Sequence, residues 1–173
     1  SVKCITELND GSMAIGTENG ISILRDNKIV KNFKRDDNLG NSNITAIYQD
    51  EDGLIYVGTD GSGLFTIDGN NRVTPIGISD NLDAKVISSI TKGASGIWIG
   101  TDNGLYYKEG VIRQISAVDS TNSISDIIID KDGYMWIYSS RGLLKYYESD
   151  LLSSSNPEYS LYNRNDGIIS SIT

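Results

Sequence analysis

The sequence contains no histidine, one cysteine and two prolines in 173 residues. Without histidine, the chain cannot build a Ser-His-Asp or Cys-His catalytic arrangement or a histidine-ligated metal site from its own residues. The single cysteine, Cys4, excludes an internal disulfide and a cysteine-rich zinc site. Its place in the run Val2–Ile5 suits a strand, so we expect an inert, partly buried thiol. No run of about 20 apolar residues is present, so the sequence predicts no membrane-spanning helix.

Positive charge is also scarce. The chain has 15 Lys and Arg residues against 23 Asp and Glu residues, a formal net charge of −8. Nucleic acid requires a basic surface, so the charge argues against that class of partner. The same sign disfavours binding to anionic membrane surfaces and leaves neutral and cationic ligands open. Eighteen glycines against two prolines indicate many tight turns rather than a flexible linker.

A repeat of about 40 residues runs through the chain. Its anchor is an aliphatic strand that ends in Gly-Thr or a related pair. The last residues of the four copies are Thr17, Thr59, Thr101 and Ser139. Their spacings are 42, 42 and 38 residues. A period of about 40–45 residues accommodates the four short strands of one β-propeller blade.

An upstream strand in each copy carries two apolar residues three positions apart. The pairs are Val2 with Ile5, Ile44 with Ile47, Ile87 with Ile90, Ile124 with Ile127, and, at the end of the chain, Ile169 with Ile172. A turn containing glycine, such as Asp52-Gly53, separates this strand from the anchor and favours a hairpin. A third strand and a polar fourth strand follow each anchor, and the polar composition of the fourth suits an outer edge.

The anchor strand is apolar on both faces, as in residues 55–57 and 135–137, which indicates burial on both sides. Glycine within it would let a neighbouring sheet approach closely. We therefore predict an all-β fold, a β-propeller with four blades of four antiparallel strands. The predicted blade repeats span about residues 2–35, 44–77, 86–116 and 124–163, with the start of a next blade at 168–173. The lone fifth strand predicts that residues 1–173 form one segment of a larger propeller.

This repeat resembles that of the two-component regulator propeller family. The family repeat has an aliphatic strand, an Asp-x-Asp-Gly turn, a Trp-Ile-Gly-Thr strand and an aliphatic-aromatic strand after a glycine-rich turn. The similarity covers residues 44–67, 87–108 and 124–147, and more loosely 2–24. Departures are Ala14 and Tyr56 in place of tryptophan, and Tyr138-Ser139 in place of Gly-Thr.

The resemblance implies a role as the extracytoplasmic sensor region, periplasmic or cell-surface, of a bacterial signalling receptor. Such regions precede a transmembrane helix and a kinase or other output, so the parent protein is expected to be membrane-anchored. In several members of the family the ligands are oligosaccharides.

Candidate binding residues lie on loops that should emerge on one propeller face around the central channel. These loops join the second strand to the third, and the fourth strand to the next blade. Binding residues concentrate on loops held by a rigid scaffold. From the first set of loops we name Asp60, Asp102, Asn103 and Arg141 as candidate ligand-binding residues, although any of them could be simply solvated. The second set contains Arg35, Asp36, Asp83 and Asp119.

The Asp-x-Asp-Gly turns at residues 50–53 and 130–133 look like the opening of a calcium loop. A calcium loop needs a bidentate Glu at its twelfth position, which here is Gly61 or Arg141. Hairpin turns explain these residues better, so no metal site is predicted.

Aromatic residues offer a similar choice. Trp98 and Trp136 could stack on a sugar ring, but they lie in the most buried strand, so packing between blades is favoured. In the tyrosine pairs at 106–107 and 146–147, strand alternation should place one ring of each pair outward. The tract at residues 150–156 reads as an inserted, flexible turn in the fourth blade.

Three functions fit these observations. The first is a non-catalytic sensor that recognises a small molecule or an oligosaccharide, the second a fragment of a propeller lyase or lactonase, and the third a scaffold for protein partners. Enzymes of the second kind generally use a channel-centred metal with histidine or clustered acids, so we expect no catalysis and no cofactor. Exposed apolar faces on the terminal blades predict self-association, for example two four-blade arcs completing an eight-blade ring.

Overall fold

The computed structural model of the chain describes residues 1–40 and 43–168. Sixteen strands in this part of the chain form four four-stranded sheets, and the strand order within each sheet follows the chain. The strands of the first two blades are β1 Val2–Glu7, β2 Met13–Thr17, β3 Gly20–Arg25, β4 Lys28–Phe33, β5 Ile44–Gln49, β6 Ile55–Thr59, β7 Leu64–Ile67 and β8 Val73–Ile76. Those of the last two are β9 Ile87–Lys92, β10 Ile97–Thr101, β11 Gly104–Glu109, β12 Val111–Gln114, β13 Ile124–Ile129, β14 Tyr134–Ser139, β15 Gly142–Tyr147 and β16 Tyr159–Tyr162.

Each sheet is one blade, and all pairings within it are antiparallel. Ile99 in β10, for example, pairs with Ile90 in β9 and with Tyr106 in β11. The prediction of an all-β propeller with four antiparallel four-stranded blades is confirmed. The predicted start of the next blade at Ile169–Thr173 lies outside the described residues.

A β-bulge near the start of each inner strand explains the three-residue spacing of its apolar pair. The register shifts between Ile44 and Ala46 in β5, and between Ile124 and Asp126 in β13. In an unbroken strand, residues three apart would point to opposite faces. The bulge inserts one extra residue, so both isoleucines of a pair join the same core, as Ile124 and Ile127 do.

The junctions between blades depend on glycine in the second strand. The inner strands contact one another in chain order, β1 with β5, β5 with β9, and β9 with β13. A Cβ atom on Gly16, Gly58 or Gly100 would lie 2.8 Å from Cγ2 of the first isoleucine of the next inner strand. Those isoleucines are Ile44, Ile87 and Ile124, and all three are buried. Glycine is therefore the residue that lets successive blades meet.

Hydroxyl groups add polar contacts across the same junctions. Thr6 Oγ1 donates to the carbonyl oxygen of Ile47 at 2.9 Å, and Thr91 Oγ1 donates to that of Ile127 at 3.0 Å. The inner strands are thus linked by side-chain to backbone hydrogen bonds as well as by apolar packing.

The two end faces of the arc expose apolar side chains. Val2 and Ile5 of β1 are 58% and 59% exposed, and Ile128 of β13 is 61% exposed. Cys4 lies in β1 and is half-buried, as expected, and burial raises the pKa of its thiol.

Two expectations about the outer parts of the blades were wrong. Tyr106 and Tyr107 are both buried, because blade 3 is covered on both faces, whereas in the pair at 146–147 only Tyr147 is exposed. The tract at residues 150–156 begins within a short helix, α1 Glu148–Ser153, rather than being a turn throughout. Leu151 of this helix packs into the core between blades 3 and 4.

Candidate functional site

A hydroxyl group, carried by a buried residue in blades 2 to 4, shapes the loop between the second and third strands. Thr59 Oγ1 donates to the carbonyl of Gly63 at 2.8 Å, and Thr101 Oγ1 donates to that of Gly104 at 2.7 Å. Ser139 does the same with Gly142 at 2.9 Å. The Gly-Thr signature therefore holds a loop in place, and serine performs this role in blade 4.

The residue after each hydroxyl occupies one position on the upper rim, the channel-side edge of the face that carries these loops. Its backbone N–H donates to the carbonyl of the residue just before the inner strand of the same blade. The donor and acceptor pairs are Glu18 with Ser1 at 3.2 Å, Asp60 with Asn43 at 2.9 Å, Asp102 with Val86 at 3.2 Å and Ser140 with Ser123 at 3.0 Å. Three of the four rim residues are acidic, so the rim presents one carboxylate from each of blades 1 to 3.

Asp60 and Asp102 are both exposed and lie on either side of Val86. The backbone of Asp60 pairs with Val86 across the junction between blades 2 and 3. Asp102 Oδ1 accepts a hydrogen bond from the N–H of Val86 at 3.3 Å. Asp60 Oδ2 accepts from Asn43 Nδ2 at 3.1 Å. The structure therefore brings these two candidates together around one residue.

Asn103 is half-buried, and its amide serves the structure of the loop. Its Oδ1, 2.9 Å from Thr101 Oγ1, shares the hydroxyl proton of Thr101 with the carbonyl of Gly104, and its Nδ2 donates to the carbonyl of Asp83. Tyr106 also donates its hydroxyl to that carbonyl, at 3.5 Å. Asn103 thus ties the loop before β9 to blade 3, and its amide atoms are already hydrogen-bonded within the chain.

Arg141 is exposed on blade 4, apart from the pair at blades 2 and 3. Its backbone N–H donates to Ser139 Oγ at 3.3 Å. Hydrogen bonds from Thr121, helped by the charge of Arg141, lower the pKa of Asp119. Arg141 also lines a cleft of about 610 Å³ at the free end of the arc, with Tyr138 and Leu143.

Glu18 is a rim residue that the sequence reasoning missed. Hydrogen bonds from Lys3 and Ser1 hold its carboxylate and lower its pKa to about 2. The signal was available, because Glu18 follows a Gly-Thr pair as Asp60 and Asp102 do.

A loop motif leading into the next blade was also missed. In three copies, an Asp side chain accepts a hydrogen bond from the backbone N–H three residues earlier, closing a single 3-10 turn. The pairs are Asp37 with Lys34 at 2.8 Å, Asp80 with Gly77 at 3.0 Å and Asp166 with Asn163 at 2.9 Å. Asn or Gly then adopts a positive φ, and in the first two copies a buried leucine follows, Leu39 or Leu82. The spacings of 43 and 86 residues could have revealed this motif.

In residues 1–40 and 43–168, no three His, Cys, Asp or Glu side chains cluster as metal ligands would. The same part of the chain contains no helix with the length and apolarity needed to cross a membrane.

One family model matches the chain. It is that of the two component regulator propeller, and it covers residues 38–61, from the loop before β5 to the loop after β6. No curated protein sequence matches the chain.

Solved structures share the fold. Two are extracellular domains of putative hybrid two component systems from B. thetaiotaomicron. The first has 20% identity and a TM-score of 0.81 and covers 97% of this chain; the second has 22% identity and a TM-score of 0.76 and covers 95%. This chain spans only 24% and 22% of the length of those two proteins.

A third solved structure is a virginiamycin B lyase from Staphylococcus aureus with Quinupristin, in a catalytically inactive form with a histidine replaced by alanine. It is 16% identical with a TM-score of 0.65, over 92% of this chain and 54% of the lyase. The match to residues 38–61 confirms, over that segment, the resemblance to the two component regulator propellers, and the same strand pattern repeats in every blade.

Proposed function

We propose that this chain is a non-catalytic ligand-recognition segment in the extracytoplasmic sensor region of a bacterial two-component-type receptor. The observation that carries this proposal is the upper rim. Each blade presents one side chain there at the same position, on a loop fixed by a hydroxyl group and a backbone hydrogen bond. Recognition needs such polar groups held by a rigid scaffold.

The relatives support the cellular setting. Both B. thetaiotaomicron proteins are described as extracellular domains of two component systems. Since this chain spans about a quarter of their length, further blades and the membrane anchor would come from the rest of a longer receptor.

The chemistry of the rim favours a hydroxyl-rich or cationic ligand. The carboxylates of Asp60 and Asp102 are hydrogen-bond acceptors with several lone pairs, and both are exposed to a ligand in the channel. Arg141 offers donors on blade 4. An oligosaccharide supplies hydroxyl groups that can donate to the first pair and accept from the arginine, and the net charge of −8 disfavours an anion.

A lyase is the second candidate, because a virginiamycin B lyase shares the fold. The form of that lyase in which a histidine is replaced by alanine is described as catalytically inactive. The present chain has no histidine at all. That difference favours recognition without turnover in this segment.

Ligand-induced stabilisation tests the proposal. A ligand that binds only the folded state, at free concentration L, raises the free energy of unfolding by RT ln(1 + L/Kd), and so raises the melting temperature. We expect at least one compound from a library of neutral and basic oligosaccharides to raise it and to be recovered unchanged. The double variant Asp60→Asn, Asp102→Asn should weaken that ligand about tenfold, or about 1.4 kcal/mol. Glu158→Gln, which removes an exposed carboxylate on the outer side of blade 4, should leave it unchanged.

Other outcomes would separate the alternatives. Consumption of the ligand would favour the lyase. A complete lack of stabilisation by the library, with specific binding to another protein chain, would favour the scaffold.

A further inference from the structure

The lower face, opposite the rim, carries the turns between first and second strands and between third and fourth strands. At the junction of blades 1 and 2, these turns are joined by a side chain. The backbone N–H of Asn9 donates to Gln49 Oε1 at 2.7 Å, and Asn9 Nδ2 donates to the carbonyl of Asp50 at 2.8 Å. This junction is therefore closed by protein groups.

The junction of blades 3 and 4 is closed by Glu148 at the start of α1. Its Oε1 accepts hydrogen bonds from Trp98 Nε1 at 2.8 Å and from the backbone N–H of Ala94 at 2.9 Å. Glu148 is buried, and Gly93 leaves the space for it, since a Cβ atom there would lie 2.6 Å from the same oxygen.

The equivalent junction between blades 2 and 3 leaves a cleft, which Lys92 and Glu51 span at its exposed edge. Blade 3 has Gly110 where blade 4 has Glu148, counted from the glycine that begins each third strand. Gly110 has a φ of +71° in the tight turn between β11 and β12 and carries no side chain to fill the space. The result is a cleft of about 290 Å³, between residues 48–56 of blade 2 and residues 92–97 and 108–110 of blade 3.

The cleft combines aromatic rings with an excess of negative charge. Tyr48 and Tyr56 form one wall, with ring centroids 6.2 Å apart. Four carboxylates line the cleft against two ammonium groups; they are Asp50, Glu51, Asp52 and Glu109 against Lys92 and Lys108. Burial, and then the neighbouring Asp50, raise the pKa of Tyr56 to about 12, so its phenol stays neutral.

Two lysine ammonium groups of the chain already lie in this cleft. Lys108 Nζ is 5.7 Å from the centroid of the Tyr56 ring, and Lys92 Nζ is 2.6 Å from Glu51 Oε1 at the exposed edge. An aromatic face and a carboxylate both attract a positively charged nitrogen. Two negative charges are left over after the two lysines are counted.

We propose that this cleft, here called the lower cleft, binds a small organic cation with a primary ammonium or guanidinium group. It is separate from the upper rim, so the proposal does not depend on what the rim recognises. The volume of about 290 Å³ lies just below the range for small-molecule sites, about 300–1,000 Å³, which favours a ligand smaller than a drug molecule.

The probe is 1,4-diaminobutane, with 1,4-butanediol as the neutral control of the same length. Amide chemical shifts of Gly93, Gly96 and Gly110, which line the lower cleft, report binding by NMR. We expect saturable shifts with the diamine and at least tenfold weaker binding of the diol. Higher salt should weaken binding of the diamine, because exposed charges are screened.

Two variants locate the site. Asp52→Asn should weaken the diamine at least threefold, whereas Asp132→Asn, at the same turn position in blade 4 and outside the cleft, should have no effect. Ala94→Phe keeps the backbone N–H that bonds Glu148 and should block the cleft. Equal binding of diamine and diol, or equal effects of Asp52→Asn and Asp132→Asn, would overturn the proposal. So would the absence of saturable shifts at the three glycines. If Ala94→Phe does not fold, the comparison of Asp52→Asn with Asp132→Asn still tests the proposal.

Discussion

Trp98 in β10 and Trp136 in β14 occupy the same position in blades 3 and 4, yet their surroundings differ. Trp98 is fully buried between the two blades and donates its indole N–H to Glu148 of the next blade. Trp136 is half-buried on the outer face of blade 4 and donates to Asp130 of its own blade at 2.8 Å. Where no described blade follows, side chains of the same sheet cover the ring.

A second difference lies two residues further along the same strands. Gly100 leaves room for Ile124 of the next blade, whereas blade 4 has Tyr138 at the equivalent position, and that ring is 50% exposed. A tyrosine fills the space that glycine leaves at the other junctions. Blades 2, 3 and 4 each cover the preceding blade at a glycine position. An element that covers blade 4 would meet a tyrosine there, so it must pack differently. The pairing of two arcs into an eight-blade ring stays a prediction, and its seam at this face would be irregular.

Exchanging glycine and tyrosine at these two positions should have the largest effect on the free energy of unfolding. Gly100→Tyr places a bulky side chain where even a Cβ atom would lie 2.8 Å from Ile124, so blade 4 cannot dock. We expect the free energy of unfolding to fall by about 3 kcal/mol or more. Tyr138→Gly changes a half-exposed position and should alter it by about 1 kcal/mol or less. Chemical denaturation measures both.

Equal losses in the free energy of unfolding for Gly100→Tyr and Tyr138→Gly would contradict the claim that glycine is required at junctions only. A Gly58→Tyr variant repeats the test at the junction of blades 2 and 3 and should resemble Gly100→Tyr.

Removing the carboxylate that crosses the junction should have the next largest effect. Glu148→Ala leaves the indole N–H of Trp98 and the N–H of Ala94 without their acceptor in a buried place. We expect a loss of about 2 kcal/mol in the free energy of unfolding. Glu148→Gln keeps an acceptor oxygen and should lose about 1 kcal/mol. If both substitutions cost nothing, the carboxylate does not hold the junction.

Acid should produce a smaller, local change at the half-buried Trp136. The hydrogen bond from Trp136, with backbone donors, lowers the pKa of Asp130 below its usual value. Because the pKa of Asp130 is lower in the folded state than in the unfolded state, the stabilisation from this hydrogen bond is fully present at pH values above the usual pKa of an aspartate. It is lost as pH falls through the folded-state pKa. The indole N–H signal of Trp136 should therefore titrate with a midpoint below the usual pKa of an aspartate, about 3.9. The step should disappear in Asp130→Asn.

The blade architecture was predictable because it repeats. The spacing of Thr17, Thr59, Thr101 and Ser139 fixes the period, and each copy reinforces the others. The second strands, which are apolar on both faces and contain glycine, predicted that the blades stack face to face. Loops were harder. Asn103 stays a candidate binding residue, and the sequence did not show that its amide is hydrogen-bonded to Thr101 and to Asp83 in the loop before β9.

Side-chain contacts between blades could not be predicted from the sequence, because they join residues that are far apart in the chain. Nothing near Trp98 signals that Glu148, 50 residues later, accepts its indole hydrogen bond. Likewise, the pairing of Tyr106 and Tyr107 suggested one exposed ring, since alternation within a single strand says nothing about a second covering blade.

The solution mass of the wild-type chain tests the account most directly, because the account holds that both end faces of the arc expose apolar side chains. Light scattering across a range of protein concentrations should show a mass above that of the monomer, increasing with concentration, with apolar burial as the driving force. A monomer mass at every concentration would contradict it and would mean that the end faces with Ile5 and Ile128 are compatible with an isolated chain.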